Sequence, residues 1–136
     1  MEEKTYSEYY DDFKDHFKKW CAFNRSNIAD KACQASHEKQ WIISRLHDFR
    51  RDKEILSRKI NKRREVEILK KSKEFPVNLT KSTLDLVDGL PELKEMNDEM
   101  KELEFLIRYL EDMSKMMMFI AQDVKNVLEA IRVEES

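Results

Sequence analysis

The chain has 136 residues and a net charge of −2, with 40% charged residues, one glycine, two prolines and two cysteines. A length of this order suits a single domain with one core, and the near absence of turn-formers excludes a sheet protein, whose tight turns need residues that tolerate positive φ. The same count excludes phosphate-cradling glycine loops and dinucleotide-binding turns, which need several glycines where Gly89 stands alone. The expectation is an all-α protein of long helices, read as one helical domain over 1–136.

The first predicted helix lies within 1–24, from about Thr5 to Asn24. Tyr6, Tyr9, Phe13, Phe17 and Trp20 follow spacings of 3, 4, 4 and 3, one face of a helix. Aromatics at that spacing are core anchors in the plainer reading and base-stacking or partner-binding groups in the sharper one.

The second helix is expected over 26–73, with Ser26 or Asn27 as N-cap. Ile42, Leu46, Phe49, Leu56 and Ile60 mark its apolar stripe, which fades towards Arg63 and Glu67 as basic residues accumulate. From Arg45 to Lys73 there are twelve Lys/Arg against five Asp/Glu, a net of +7. Arg58, Lys59, Lys62, Arg63, Arg64, Lys70 and Lys71 form the candidate nucleic-acid-binding ridge. Like charges one turn apart cost a few tenths of a kcal/mol per pair, ~0.2–0.5, which a bound polyanion turns into a gain. The competing reading is a solvated or internally paired face.

Residues 74–91 read as a linker. Phe75-Pro76 is expected to be extended, Leu84, Leu86, Val87 and Leu90 to pack on something, and Pro91 to open the next helix. That helix, over 92–133, is the candidate oligomerisation element. Leu93, Met96, Met100, Leu103, Ile107, Leu110, Ser114, Met117, Ala121, Val124, Leu128 and Ile131 alternate spacings of 3 and 4 as a heptad seam. Met100, Leu103, Ile107, Leu110, Met117, Val124, Leu128 and Ile131 are its oligomerisation candidates. Leu106, Met113, Ile120 and Val127 form a flanking stripe, and Phe105, Tyr109, Met116 and Phe119 a further face. Apolar coverage this wide predicts burial among several helices, in a homo-oligomer. From Asp85 to Met113 there are ten Asp/Glu against three Lys/Arg, a net of −7, so the third piece opens with the charge opposite to the ridge.

No catalytic residue, metal site or cofactor is expected. Cys33 and His37 have a helical metal-ligand spacing, but structural zinc needs four ligands and no matching pair accompanies them. Nothing in the pattern orients a Cys–His nucleophile. No apolar targeting region opens the chain and no apolar run is long enough to span a bilayer, so the expected compartment is the reducing cytoplasm, with no membrane partner.

The order of elements from Lys59 to Arg132 resembles the UvsY recombination mediator family of T4-like phages. The resemblance is carried by Lys-Ile-Asn-Lys-Arg-Arg-Glu-Val-Glu at 59–67, by Asp88-Gly89-Leu90-Pro91-Glu92-Leu93 leading into Leu106-Ile107-Arg108-Tyr109-Leu110-Glu111, and by Phe119-Ile120-Ala121-Gln122-Asp123-Val124-Lys125-Asn126. The chain departs from it at Ile68-Leu69-Lys70-Lys71, where the family carries an aromatic-aromatic-glycine turn. The resemblance implies a ring-like homo-oligomer in an infected bacterial host. It implies a protein that binds single-stranded DNA through Lys62 and Arg64, with Lys59 and Arg63 beside them. It also implies that the protein helps a recombinase replace single-strand-binding protein. The alternative is a structural or adaptor coiled-coil protein whose charge blocks direct helix pairing.

Overall fold

Four helices account for the regular structure of the described residues: α1 (Tyr6–Trp20), α2 (Ile28–Glu74), α3 (Lys81–Asp88) and α4 (Pro91–Glu135). The computed structural model describes residues 4–74 and 81–135, apart from the side chains of Ser72, Glu74 and 81–83. The all-α expectation holds. Phe75-Pro76, read as extended, lies outside the described residues.

Helix α1 is started by a signal that the aromatic pattern overshadowed. Thr5 is extended at its N-cap and its hydroxyl accepts from the Glu8 amide at 3.2 Å, while the Glu8 carboxylate accepts from the Thr5 amide at 3.3 Å. This reciprocal capping box satisfies two amides that a helix start otherwise leaves open. Thr5→Ala is expected to cost about 1 kcal/mol of stability, read as a lower urea midpoint with an unchanged slope.

Between α1 and α2 two asparagines hold the connection. The Asn24 side-chain oxygen accepts from the Ser26 and Asn27 amides, both at 3.0 Å, and that of Asn27 accepts from the Asn24 amide at 2.9 Å. Asn27 immediately precedes α2, as expected of one N-cap candidate, but its side chain reaches backwards into the turn.

The predicted linker 74–91 is helical over Lys81–Asp88, because Leu84 and Val87 lie one turn apart and Val87 is fully buried. Gly89 then ends α3 without entering the left-handed region. A Cβ there would lie 3.3 Å from the Asp85 carbonyl oxygen, a tight contact that the turn would have to relax by a few tenths of an ångström. Pro91 is the first residue of α4, as its missing N–H and fixed φ favour.

The chain divides into two compact units. The first comprises Met1–Asp48 and Leu106–Ser136, and its core is where α1 meets the beginning of α2 and the end of α4. Phe13 and Phe17 pack edge-on against Trp41 of α2 at ring distances of 5.4 and 6.2 Å. Phe17 also faces Tyr109 of α4 at 6.0 Å, and Tyr10 meets the same ring at 4.9 Å. Phe13, Phe17 and Trp20 are buried, as core anchors are, whereas Tyr6 and Tyr9 are half-exposed. Ile28, Ile42, Leu46, Leu106, Ile107, Leu110, Met113, Met117 and Val124 are also buried in this unit.

The second unit, Phe49–Phe105, is built on the later half of α2, α3 and the opening of α4. Phe49, Leu56, Val87, Leu93 and Leu103 are its buried apolar residues.

Candidate functional site

The basic ridge occupies α2 within the second unit, and its seven cations have different fates. Arg63 and Arg64 stand beside the apolar stripe and turn inwards, towards the acidic residues that flank the α3–α4 turn. Arg64 holds Asp88 with a two-pronged contact, Nε to Oδ1 at 2.8 Å and Nη2 to Oδ2 at 3.3 Å. Arg63 Nη2 reaches Glu92 at 2.9 Å and, one turn along its own helix, Glu67 at 3.1 Å. Its Nε is buried without a hydrogen-bond partner. Lys53 extends the same pattern to Glu104 of α4 at 3.7 Å.

Helix polarity adds to the choice of partners. Asp88 is the last residue of α3, where the helix dipole disfavours a carboxylate, and Arg64 offsets that penalty. Glu92 sits in the first turn of α4, where the dipole favours it. The Arg63, Arg64, Asp88 and Glu92 side chains are each about 40% exposed or more, so water screens the pairs and each contributes at most about 1 kcal/mol. Their effect is on register and on partner choice more than on stability.

The other cations, Lys71 apart, lie at the surface. Arg58 bonds Glu54 on its own helix at 2.7 Å and stays exposed, and Lys70 lies 3.5 Å from Glu67. Lys59 and Lys62 are exposed, and Lys71 is half-buried. Interleaved with them are aliphatic side chains left in water: Ile55, Val66 and Leu69, the last 62% exposed. Among the described residues of α2 no aromatic ring lies on this face. The surface is therefore basic and aliphatic, a different chemistry from the basic-aromatic surface on which bases stack.

The candidate oligomerisation residues are largely used within the chain. Leu103, Ile107, Leu110, Met117 and Val124 are buried, and Met100, Leu128 and Ile131 are half-buried. The flanking stripe is buried at Leu106 and Met113 and emerges at Val127. The third face of α4 is exposed at Phe105, Met116 and Phe119, while Tyr109 on it is half-buried against Tyr10 and Phe17. The methionine triplet is split accordingly, with Met117 in the core and Met116 and Met118 in water.

Comparison with protein-family models, with curated proteins and with solved structures finds no match to this chain. Its chemistry must be read from its own side chains.

Titratable groups are dispersed. Among the described residues no cluster of three or more His, Cys, Asp or Glu is arranged to hold a metal ion. Cys33 and His37 are both exposed, and His16 is instead placed 3.0 Å from both oxygens of Glu38. Burial pushes the Cys21 thiol up, against a smaller opposing pull from Lys31, which keeps it protonated rather than nucleophilic. A cleft in the second unit, about 260 Å³, lies around Arg63, Glu67, Leu90 and Glu92. That is below the usual size of ligand pockets, roughly 300–1,000 Å³. No described helix is long and apolar enough to cross a membrane.

Proposed function

We propose that the chain is a non-enzymatic helical adaptor, in which blocks of opposite charge direct the pairing of helices and then assembly with partners, including further copies of itself. The observation that carries this reading is the engagement of Arg63 and Arg64 by Glu92 and Asp88. Two of the seven ridge cations, in its middle, are matched to carboxylates of the acidic segment, where a polyanion would need them free.

A second reading has its own support. Arg58, Lys59 and Lys62 stay at the surface, and a row of cations is what a mediator bound to single-stranded DNA would present to phosphates without reading bases. Under that reading a recombinase and a single-strand-binding protein are the further partners, and the host is a phage-infected bacterium. Arg64, one of the two phosphate contacts implied by the resemblance, is already occupied by Asp88.

Fluorescence-anisotropy titration of labelled poly-dT across a salt series separates the two. The adaptor reading expects only weak association, vanishing at moderate salt. Tight binding whose logarithm falls with log salt at about −0.7 per phosphate neutralised, and which disappears in Lys59→Ala/Lys62→Ala, would replace it with the mediator reading.

A further inference from the structure

Two exposed stripes, one in each unit, carry the same spacing and opposite charge. On α2 the stripe is Lys62, Val66, Leu69 and Lys73, separated by 4, 3 and 4 residues, so that all four lie along one side of the helix. On α4 it is Asp112, Met116, Phe119 and Asp123, again separated by 4, 3 and 4. Every member is exposed: Val66 and Leu69 at 38% and 62%, Met116 and Phe119 at 50% and 72%, with the flanking charges also in water. Each stripe is an apolar pair bracketed by like charges, cationic on α2 and anionic on α4. Because the spacing is symmetric, laying one stripe on the other puts both lysines opposite aspartates and both apolar pairs opposite each other, whichever way the helices run.

We infer that the α2 stripe of one copy docks on the α4 stripe of a second copy of this chain. The inference rests on the adaptor reading and names its partner. Four large apolar side chains leave water in this contact, which supplies the driving force. The terminal Lys–Asp pairs fix register and exclude the like-with-like pairings, in which lysine would meet lysine and aspartate would meet aspartate. A single-stranded nucleic acid fits the α2 stripe less well, since Val66 and Leu69 would lie against phosphates with no ring to stack a base. Because the two surfaces differ, the contact is head-to-tail, and each copy added presents a free stripe for the next until a ring closes. A four-residue stripe is a small contact, so association is concentration-dependent and grows stronger through multiple contacts.

The test is light scattering of the full chain on a size-exclusion column at several loadings, at low and high salt. The wild type is expected to rise in mass with loading, by at least about twofold, and to fall back as salt screens the terminal pairs. Lys62→Glu/Lys73→Glu and Asp112→Lys/Asp123→Lys should each run as monomer with unchanged circular dichroism. Mixed in equal amounts, these two variants should recover the wild-type mass, since each supplies the stripe complementary to the other. Val66→Ser/Leu69→Ser, which leaves the charge untouched, should also disperse the assembly. A wild type that is monomeric throughout, association that survives both charge reversals, or a mixture that stays monomeric overturns the inference. The poly-dT titration tells this failure from that of the adaptor reading. A monomer that does not bind poly-dT removes the self-docking and leaves an adaptor for other partners, whereas a monomer that binds it through Lys62 and Lys73 removes the adaptor reading as well.

Discussion

Phe17→Ala is expected to lower the unfolding free energy by about 3–5 kcal/mol. Phe17 is 2% exposed and sits where all three helices of the first unit meet, with its ring against Trp41 of α2 and Tyr109 of α4. Truncation removes the transfer free energy of the ring and leaves a cavity whose walls belong to different helices. Those walls are themselves large aromatics on regular helices, so collapse into the space is restricted and the cost belongs at the upper end of the range. Urea unfolding followed by circular dichroism and by tryptophan fluorescence measures it. A loss below about 1 kcal/mol would mean that Phe17 does not anchor the three helices. Tyr6→Ala, on the same helix face but half-exposed, is the control and should cost far less.

Val87→Asp is expected to undock α3. Eight residues are too few for a helix to persist alone in water, where even good helix formers need about 12–15, so α3 exists because it is packed down. Val87 is fully buried, while its neighbour Leu86 is 68% exposed. An aspartate at the buried position has no partner placed for it, and burying an uncompensated charge costs about 3–5 kcal/mol. The helix will sooner detach than accept that cost. Hydrogen exchange should then show the amides of 81–88 losing protection by on the order of a hundredfold, with Arg64 released from Asp88 as a consequence. Leu86→Asp should leave exchange unchanged. Protection that survives Val87→Asp would mean that the ion pair, not the apolar contact, holds α3.

Much of this fold is legible in the sequence. The shortage of glycine and proline, the 3–4 spacing from Leu93 to Ile131, and the aromatic face of the first helix are all local signals, and all correspond to helices or buried positions. Helix α3 was hidden because its helicity comes from docking through Val87 and not from periodicity over a long window. The fate of the ridge was only half legible. The counts of +7 and −7 announce that two segments attract, but not which cation meets which carboxylate. That is decided by where Arg63 and Arg64 stand on α2 relative to its apolar stripe, a property of three dimensions. The seam on α4 was legible as an apolar face, while which elements of the chain cover it is not a local property of the sequence. The exposed pairs Val66–Leu69 and Met116–Phe119 were visible as residues. Their exposure was not.

The first unit is assembled from two distant stretches of chain, Met1–Asp48 and Leu106–Ser136, and this has a temporal consequence. As the polypeptide leaves the ribosome, α1 emerges with Phe13, Phe17 and Trp20 facing water. Tyr109, against which Tyr10 and Phe17 pack, has yet to be made. The second unit, Phe49–Phe105, is continuous and has every residue it needs before then. Synthesis therefore supplies the whole of the second unit first and leaves the first open until the later part of α4 arrives. During that interval the aromatic face is an incompletely covered apolar surface of the nascent protein, open to association.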